Sequence, residues 1–389
     1  MELKIKAREL GLSTTLTPSN FVLKNAGKLA PDLLKEVAAY LHYASILKTK
    51  VPTWFENGQT LAPSSLNIEQ SSSEHTARYK AEIFSGGTGA DLSGGMGVDS
   101  YFLAQKAEKW IHNEPSHALS ALVAYNFGVL GLQNTQFTQY LAEDFPLEEL
   151  DFIYVDPSRR DEYHNKVFLP QDCQPNLPKL REKLLAVCPR MLIKYAPLLD
   201  IKAAFQALVS VEEMWVLAEK NEVKELLFSV GRNGNPNPPI HCINLQTSQS
   251  TFTFSFEEER HSEPLFHAPK RYLYEPNAAI MKAGAFSSVA TQFSLEKLAR
   301  NSHLYTSNTL VSNFPGRILE VEDVTNFDKK SLNTKVKGNK ANVIVRNFPL
   351  KPEEIKKKLG WKDGGEHYIY FTTSASNQKL CIITKKISL

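Results

Sequence analysis

The stretch Asp91-Leu92-Ser93-Gly94-Gly95-Met96-Gly97-Val98-Asp99 constrains this 389-residue chain more than any other. An acidic residue closes a short strand, glycines follow, and a helix is expected to start near Ser100. Glycines there let the backbone turn sharply and come close to a ligand. At the carboxyl end of a parallel strand, such a turn is where doubly wound α/β folds bind nucleotides. The chain beyond it keeps the matching rhythm. A helix after Pro115 carries Leu119, Leu122, Val123, Phe127 and Leu130 on one face, and the apolar run Leu150 to Val155 ends on Asp156-Pro157. Leu177 to Ala186 reads as a helix, Met191 to Ala196 as a strand, Ile201 to Leu208 as a helix and Met214 to Ala218 as a strand. Strands separated by such helices predict an α/β fold, a Rossmann-like domain over residues 83–262 with helices on both faces of a parallel sheet.

The flanks read differently. Residues 1–82 form a helical segment: Pro31-Asp32 opens a helix with Leu33, Val37, Leu41 and Ala44 at steps of three to four, ending by Pro52, and Ser71-Ser72-Ser73-Glu74 caps another through Phe84. Gly231 to Pro239 is a loop signal, with paired strands behind it at Ile240–Leu245 and Thr251–Phe256 and a linker over Arg260–Pro269. Two small α+β domains are expected after that. Residues 270–318 contain helices at Asn277–Ala285 and Leu295–Asn301. Residues 319–389 contain a strand at Asn342–Arg346, a helix at Lys351–Leu359 and strands at Tyr368–Thr373 and Leu380–Thr384.

A hydrophobic content of 42 % with 22 % charged residues excludes a mainly disordered or fibrous chain. The N-terminus lacks an apolar signal core, and the longest apolar stretch, Ala118 to Leu132, is too short and too polar to span a bilayer. Cys173, Cys188, Cys242 and Cys381 form no CxxC pair, which argues against a disulfide framework or a zinc ribbon. A cytoplasmic monomer without membrane association is the expectation.

Two cofactors compete for the glycine turn, beside the plain alternative of a tight strand-to-helix connection. A dinucleotide site wants a third glycine where Ser100 stands, and Asp91 and Asp99 would repel its pyrophosphate. The same carboxylates suit the ammonium and sulfonium of S-adenosylmethionine, with Asp91, Ser93, Gly95, Gly97 and Asp99 as candidate contacts. Glu114, at the end of the second strand, can accept from ribose hydroxyls, or it is a surface acid before a helix. Asp144 can accept from an adenine amino group, or it is a loop acid. Asp156-Pro157, at the fourth strand's tip, offers a carboxylate and a rigid carbonyl to an acceptor amine, the catalytic gain being positioning and electrostatics. The alternative is a strand-ending turn with solvated arginines.

On these residues the chain resembles class I S-adenosylmethionine-dependent methyltransferases. Asp91-x-x-x-Gly95-x-Gly97 is similar to their first motif, Glu114 to their ribose acid, Asp144 to their adenine-contacting acid and Asp156-Pro157 to their fourth motif. The closer resemblance is to a bacterial group sharing an Asp-Leu-x-x-Gly-x-Gly-x-Asp turn and an Asp-Pro-x-Arg-Arg strand end, here Asp91 to Asp99 and Asp156 to Arg160. Gln70-Ser71 and Ala77-Arg78-Tyr79 resemble the segment before that group's first motif. The resemblance implies a ferredoxin-like domain over 270–318, a THUMP-like domain over 319–389 and, since THUMP domains elsewhere bind RNA, an RNA partner. One departure stands out. Amino-directed nucleic-acid enzymes carry Asp/Asn-Pro-Pro and an aromatic, whereas this chain has Ser158 and Arg159. Arg159 and Arg160 become candidates for clamping a phosphate or stacking on a base, and Tyr154 or Tyr163 for supplying a ring.

Residues 329–362 carry a formal charge of +9 against −6 for the rest of the chain. Lys356, Lys357 and Lys358 on one predicted helix, with Phe348, Trp361 and Tyr368 nearby, fit a phosphate-binding, base-stacking module, or equally a solvated lysine-rich face. Lys194-Tyr195 either points into the cleft or merely ends a strand. His112 with His117 and His261 with His267 lie at spacings that put neither pair on one helix face, so no metal is expected. Serine-hydrolase and P-loop signatures are missing. Three functions fit this pattern: methyl transfer to RNA, methyl transfer to a small molecule or protein, and RNA binding with a retained cofactor pocket but weak or lost catalysis.

Overall fold

In the computed structural model, which describes residues 17–61, 65–83, 86–146, 148–158 and 169–387, the chain divides into two compact units. The first comprises Met1–Glu212 with Glu225–Asn235, the second Glu213–Lys224 with Pro236–Leu389.

The first unit begins with helices. Pro18–Asn25, Pro31–Lys50 and Pro52–Asn57 each place proline in the first turn, where its missing N–H costs nothing. The long helix buries Val37, Leu41 and Ala44 of the apolar positions read from the sequence, together with Leu47, while Leu33 is half-buried. The helix Glu74–Ile83 then leads into strands β1 (Thr88–Asp91), β2 (Lys109–Asn113), β3 (Thr135–Thr138), β4 (Phe152–Val155) and β5 (Arg190–Tyr195). These pair in parallel in the order β3-β2-β1-β4-β5. β6 (Val211–Glu219) and β7 (Glu222–Gly231) follow, and Leu226–Gly231 of β7 runs antiparallel to β5. Gly231, expected in a loop, is instead the last residue of β7. The crossover helices His117–Val129, Leu177–Val187 and Ile201–Leu208 are capped by the side chains of Ser116, Asn176 and Asp200. All four residues of β4 are buried, as expected of a strand covered on both faces. After β1 the chain builds β2 and β3 on one side and β4 on the other, so a crevice opens at the carboxyl ends of β1 and β4.

In the second unit, Met214–Glu219 of β6 runs parallel to β8 (Ile240–Leu245), which pairs antiparallel with β9 (Phe252–Phe254). A helix, Phe256–His261, opened by a Ser255–Glu258 capping box, takes in the first two residues of the expected linker, Arg260 and His261. A seven-stranded sheet follows, built from β10 (Tyr272–Pro276), β11 (Glu296–Lys297), β12 (Tyr305–Ser307), β13 (Gly316–Asn326), β14 (Asn342–Val345), β15 (His367–Thr373) and β16 (Lys379–Lys386) in the order β11-β12-β10-β13-β16-β15-β14. The expected helix at Leu295–Asn301 is instead β11 and a turn. Leu295 and Leu298 have helical spacing, but Ser294 lies in left-handed backbone and Leu298 N–H donates to Leu304 O, which leaves no room for a helical ladder. The helices Lys329–Lys335 and Pro352–Leu359 pack Leu332, Ile355 and Leu359 onto Ile369, Phe371 and Trp361. All four cysteines are buried, and none forms a disulfide.

Candidate active site

The turn after β1 is held together by its own acids. Asp91 Oδ1 accepts from the Ser93 N–H (2.8 Å) and the Ser93 hydroxyl (2.9 Å), and Oδ2 accepts from the Ser100 hydroxyl (2.7 Å). Ser93 Oγ in turn accepts from the Asp156 N–H at 2.7 Å. Ser93 thereby ties the tips of β1 and β4 together. Burial raises the Asp91 carboxyl to about 7, the serine hydrogen bonds only partly opposing it. Asp91 lines the crevice, but its oxygens are engaged in shaping the turn.

Two glycines have distinct reasons to be there. A Cβ on Gly94 would lie 2.7 Å from Asn113 O and 2.8 Å from the His112 ring, so the turn can rest on β2 only without a side chain. Gly97 has φ +73°, and a Cβ there would lie 2.6 Å from Val123 Cγ1. The helix His117–Val129 packed beneath the turn leaves no room for a side chain there.

Asp99, in the first turn of the helix Val98–Ala104, accepts at Oδ2 from the Ser72 hydroxyl and from the Tyr154 hydroxyl, both at 2.7 Å. Lys80 Nζ lies 2.9 Å from its Oδ1 and Lys194 Nζ 3.9 Å from its Oδ2. Burial alone would raise this carboxyl, but the two ammonium groups outweigh it and hold Asp99 below the ordinary carboxylate range. Lys80 also contacts Glu225 of β7 and donates to Ser72 Oγ (2.8 Å), and Thr76 Oγ1 donates to Glu225 Oε1 (2.8 Å). Lys194, at the end of β5, pairs with Asp156 at 2.5 Å. Its burial would lower the ammonium, but Asp156, Asp99 and Glu225 override that and raise it above the ordinary lysine range. Lys194 is not itself among the residues lining the cavity; its buried ammonium meets the lining Asp156 from behind.

Asp156 keeps its side chain 37 % exposed beside Lys194. Pro157 is buried, and Ser158 is anchored by a reciprocal backbone pair with Gln174 (2.6 and 3.2 Å). A cavity of about 160 Å³ opens here, lined among others by Ser72, Asp91, Gly95, Asp99, Tyr154 and Asp156. Glu114 is not in its wall: Oε2 accepts from the Gly95 N–H and Oε1 from the Ser116 N–H, both at 2.9 Å. It braces the turn, and its remaining lone pairs stay available. Asp144 is exposed in the short 3-10 turn Ala142–Asp144 and is not among the residues lining the cavity. Arg159, Arg160 and Tyr163 lie outside the described residues.

Sequence spacing does not reveal Ser72, Lys80 or Glu225 as members of the site. Lys80 sits mid-helix, where a lysine ordinarily reads as solvated, and Glu225 lies on a strand that the loop signal at Gly231 hides. Only the Ser71-Ser72-Ser73 cap marks this neighbourhood.

The lysine helix differs from its sequence reading. Lys357 and Lys358 are exposed, but Lys356 pairs with Asp363 at 2.9 Å. The expected stacking aromatics are committed elsewhere. Trp361 is buried with its indole N–H on Asn333 Oδ1 (2.8 Å), Phe348 packs on the same core, and Lys386 lies 5.1 Å from the centroid of the Tyr368 ring. Apolar burial takes Trp361 and part of Phe348, while Tyr368 is half-buried beside Lys386.

Over its whole length the chain is similar to a crystal structure described as a "putative methyltransferase" from Porphyromonas gingivalis W83, at 34 % identity and a TM-score of 0.87, covering 100 % of this chain and 98 % of that one. Residues 272–315 match a family model described as a ferredoxin-like domain, and residues 316–386 one described as THUMP domain-like. Weaker likenesses include an rRNA methylase from Streptococcus thermophilus (16 % identity, 41 % of this chain and 95 % of that one, TM-score 0.31). Another is a "putative RNA methyltransferase" from Pyrococcus horikoshii (12 % identity, 46 % and 97 %, TM-score 0.33). No curated protein matches the sequence.

Proposed function

The chain belongs to the methyltransferase family that carries a ferredoxin-like and a C-terminal THUMP-like domain, and from that premise we propose that it transfers a methyl group from S-adenosylmethionine to RNA. The observation that carries the cofactor is the glycine turn with Asp99 and Asp156 lining one cavity at the carboxyl ends of β1 and β4. Carboxylates lining that cavity suit a cation and oppose a pyrophosphate. When bound, the cofactor supplies an electrophilic methyl group on a positively charged sulfur.

The residues that would hold it are Asp91, Ser93, Gly95, Gly97 and Asp99, with Glu114 for the ribose and Asp144 for the adenine. Asp156 has its N–H fixed by Ser93 and one carboxylate oxygen fixed by Lys194. Its side chain is therefore oriented before any acceptor arrives, and its open face can accept an acceptor's N–H or O–H. Pro157 keeps the chain rigid behind it, and the Ser158–Gln174 backbone pair anchors the chain just beyond. Charge set in advance beside the reacting atoms needs no reorganisation. RNA as the acceptor is supported by the THUMP-like match and by the exposed Lys357 and Lys358. Arg159 and Arg160 are assigned to the acceptor's phosphate or base.

Calorimetry should show binding of S-adenosylmethionine and none of NAD; the reverse result sinks the cofactor assignment. Mass spectrometry of total RNA with and without the protein should reveal one modified nucleotide that depends on it, and identical spectra would remove RNA as the acceptor. With that acceptor, Asp156→Asn should keep the cofactor bound and slow single-turnover transfer by about 10²–10³-fold, the effect of losing one preorganised electrostatic group. Full activity would take Asp156 out of the mechanism.

A further inference from the structure

Behind Asp99 and Asp156, two of the three carboxylates that line the cavity, lies a set of charges that the binding reading does not require. Lys80 has no exposed surface, and Glu225 and Lys194 are buried. Lys80 bridges Asp99 and Glu225, Lys194 bridges Asp156 and approaches Asp99, and the Ser72 hydroxyl lies within 2.8 Å of Lys80 and 3.3 Å of Lys194. Asp91 is held apart by Ser93 and Ser100 and touches neither lysine; within the lysine cluster, counted formally, Asp99, Asp156 and Glu225 face two ammonium groups. A tightly bonded, water-poor cluster thus keeps one unit of negative charge beside the cavity. Were neutrality the purpose, Glu225 would not be needed, since Lys80 already neutralises Asp99 and Lys194 neutralises Asp156.

We propose that this odd carboxylate sets a preference for a cationic over a neutral occupant and so favours departure of the spent cofactor. Asp99 and Asp156 line the cavity, and Glu225 acts through Lys80 as a positioning residue for its charge. The inference rests on the S-adenosylmethionine reading. Transfer breaks the bond from methyl carbon to sulfur and leaves its electron pair on sulfur. The acceptor's lone pair forms the new bond to carbon, and the acceptor then gives up a proton to water. The sulfonium has become a neutral thioether, S-adenosylhomocysteine, in a site that still holds its negative charge. Attraction falls at the moment the product must leave.

Three probes test this by calorimetry: S-adenosylmethionine, S-adenosylhomocysteine, and sinefungin, which carries an ammonium group in place of the methylsulfonium. The wild type should bind both cations about tenfold more tightly than the thioether, the effect of one partly screened unit charge at this range. Glu225→Gln keeps the shape and removes the odd charge. It should bring the cation-to-thioether ratio down by about tenfold while leaving thioether affinity unchanged. A ratio that does not move, or all three ligands weakening together as a merely structural role predicts, overturns the proposal. Should Glu225→Gln fail to fold, the wild type still decides, because thioether binding as tight as sinefungin overturns it too. If the wild type binds none of the three, the cofactor reading fails and the inference with it, an outcome distinct from an unmoved ratio.

Discussion

Lys80 and the lysines of the helix Pro352–Leu359 carry the same charge in opposite settings. Lys80 has no contact with solvent and faces two carboxylates and a serine hydroxyl. Lys357 and Lys358 stand in solvent, and Lys356 shares its charge with the exposed Asp363. A buried charge depends on its partners, because an unpaired ion there has no water to fall back on. An exposed one is screened and acts almost independently of its neighbours. Changes around the glycine turn should therefore be large and interdependent, and changes along the lysine helix small and additive.

The sharpest way to break that contrast is Lys80→Met. It leaves Asp99 and Glu225 facing each other across an apolar side chain. Removing one partner of a buried pair costs about 3–5 kcal/mol, so the urea midpoint should drop sharply. Lys80→Met combined with Glu225→Gln should recover part of the loss, since one of the two stranded charges is gone. A single-variant midpoint at the wild-type value would mean that water reaches the cluster.

Legibility in the sequence divides along the same line. The glycine turn, Asp156-Pro157, the long N-terminal helix and β4 are legible because their signals are local: turn residues, caps and apolar periods over a few positions. Lys80, Ser72 and Glu225 are not, because their role arises when a helix before β1 and a strand after β5 meet behind the residues that line the crevice. Asp99 reads as a ligand acid, yet both its oxygens face lysines, serine and tyrosine. Trp361 misleads for the converse reason. Its neighbours in sequence are lysines, but its neighbours in space include Ile355, Leu359 and Phe371.

A second, smaller effect separates Asp91 from the rest of the site. Burial raises its carboxyl from 3.8 to about 7. Between about pH 4 and 7 the folded state thus holds more protons at Asp91 than the unfolded chain does. Its contribution to stability falls as pH rises through that window and is constant above it. Asp99 has the opposite sign: its carboxyl is depressed by Lys80 and Lys194 against the pull of burial, so its contribution is lost only as pH falls below the ordinary carboxylate range. Asp91→Asn keeps the shape and cannot ionise. Unfolding curves should show the stability of this variant declining less steeply than wild type between about pH 4 and 7. Equal slopes would show that the turn does not isolate Asp91 from solvent.

The smallest expected effects belong to the lysine helix, and they test whether its charge meets RNA at all. Phosphate contacts carry little base information, so their loss weakens binding about equally across sequences. Each lost contact also lowers the salt slope by about one unit. Lys357→Glu with Lys358→Glu should weaken binding to unrelated single-stranded RNAs by similar factors and flatten the dependence of affinity on salt. Lys356→Ala should do less than either of the other lysines changed alone, because Asp363 already holds its ammonium at 2.9 Å and offsets it toward any polyanion. Adding Asp363→Asn to the wild type should strengthen binding, since it releases Lys356 to face phosphate. If the double reversal leaves both affinity and salt slope where they were, the helix is a solvated face and the RNA contacts lie elsewhere. If Lys356→Ala proves the most damaging of the three, the pairing with Asp363 gives way when RNA arrives, and this helix behaves like the buried cluster, its charges bound to particular partners.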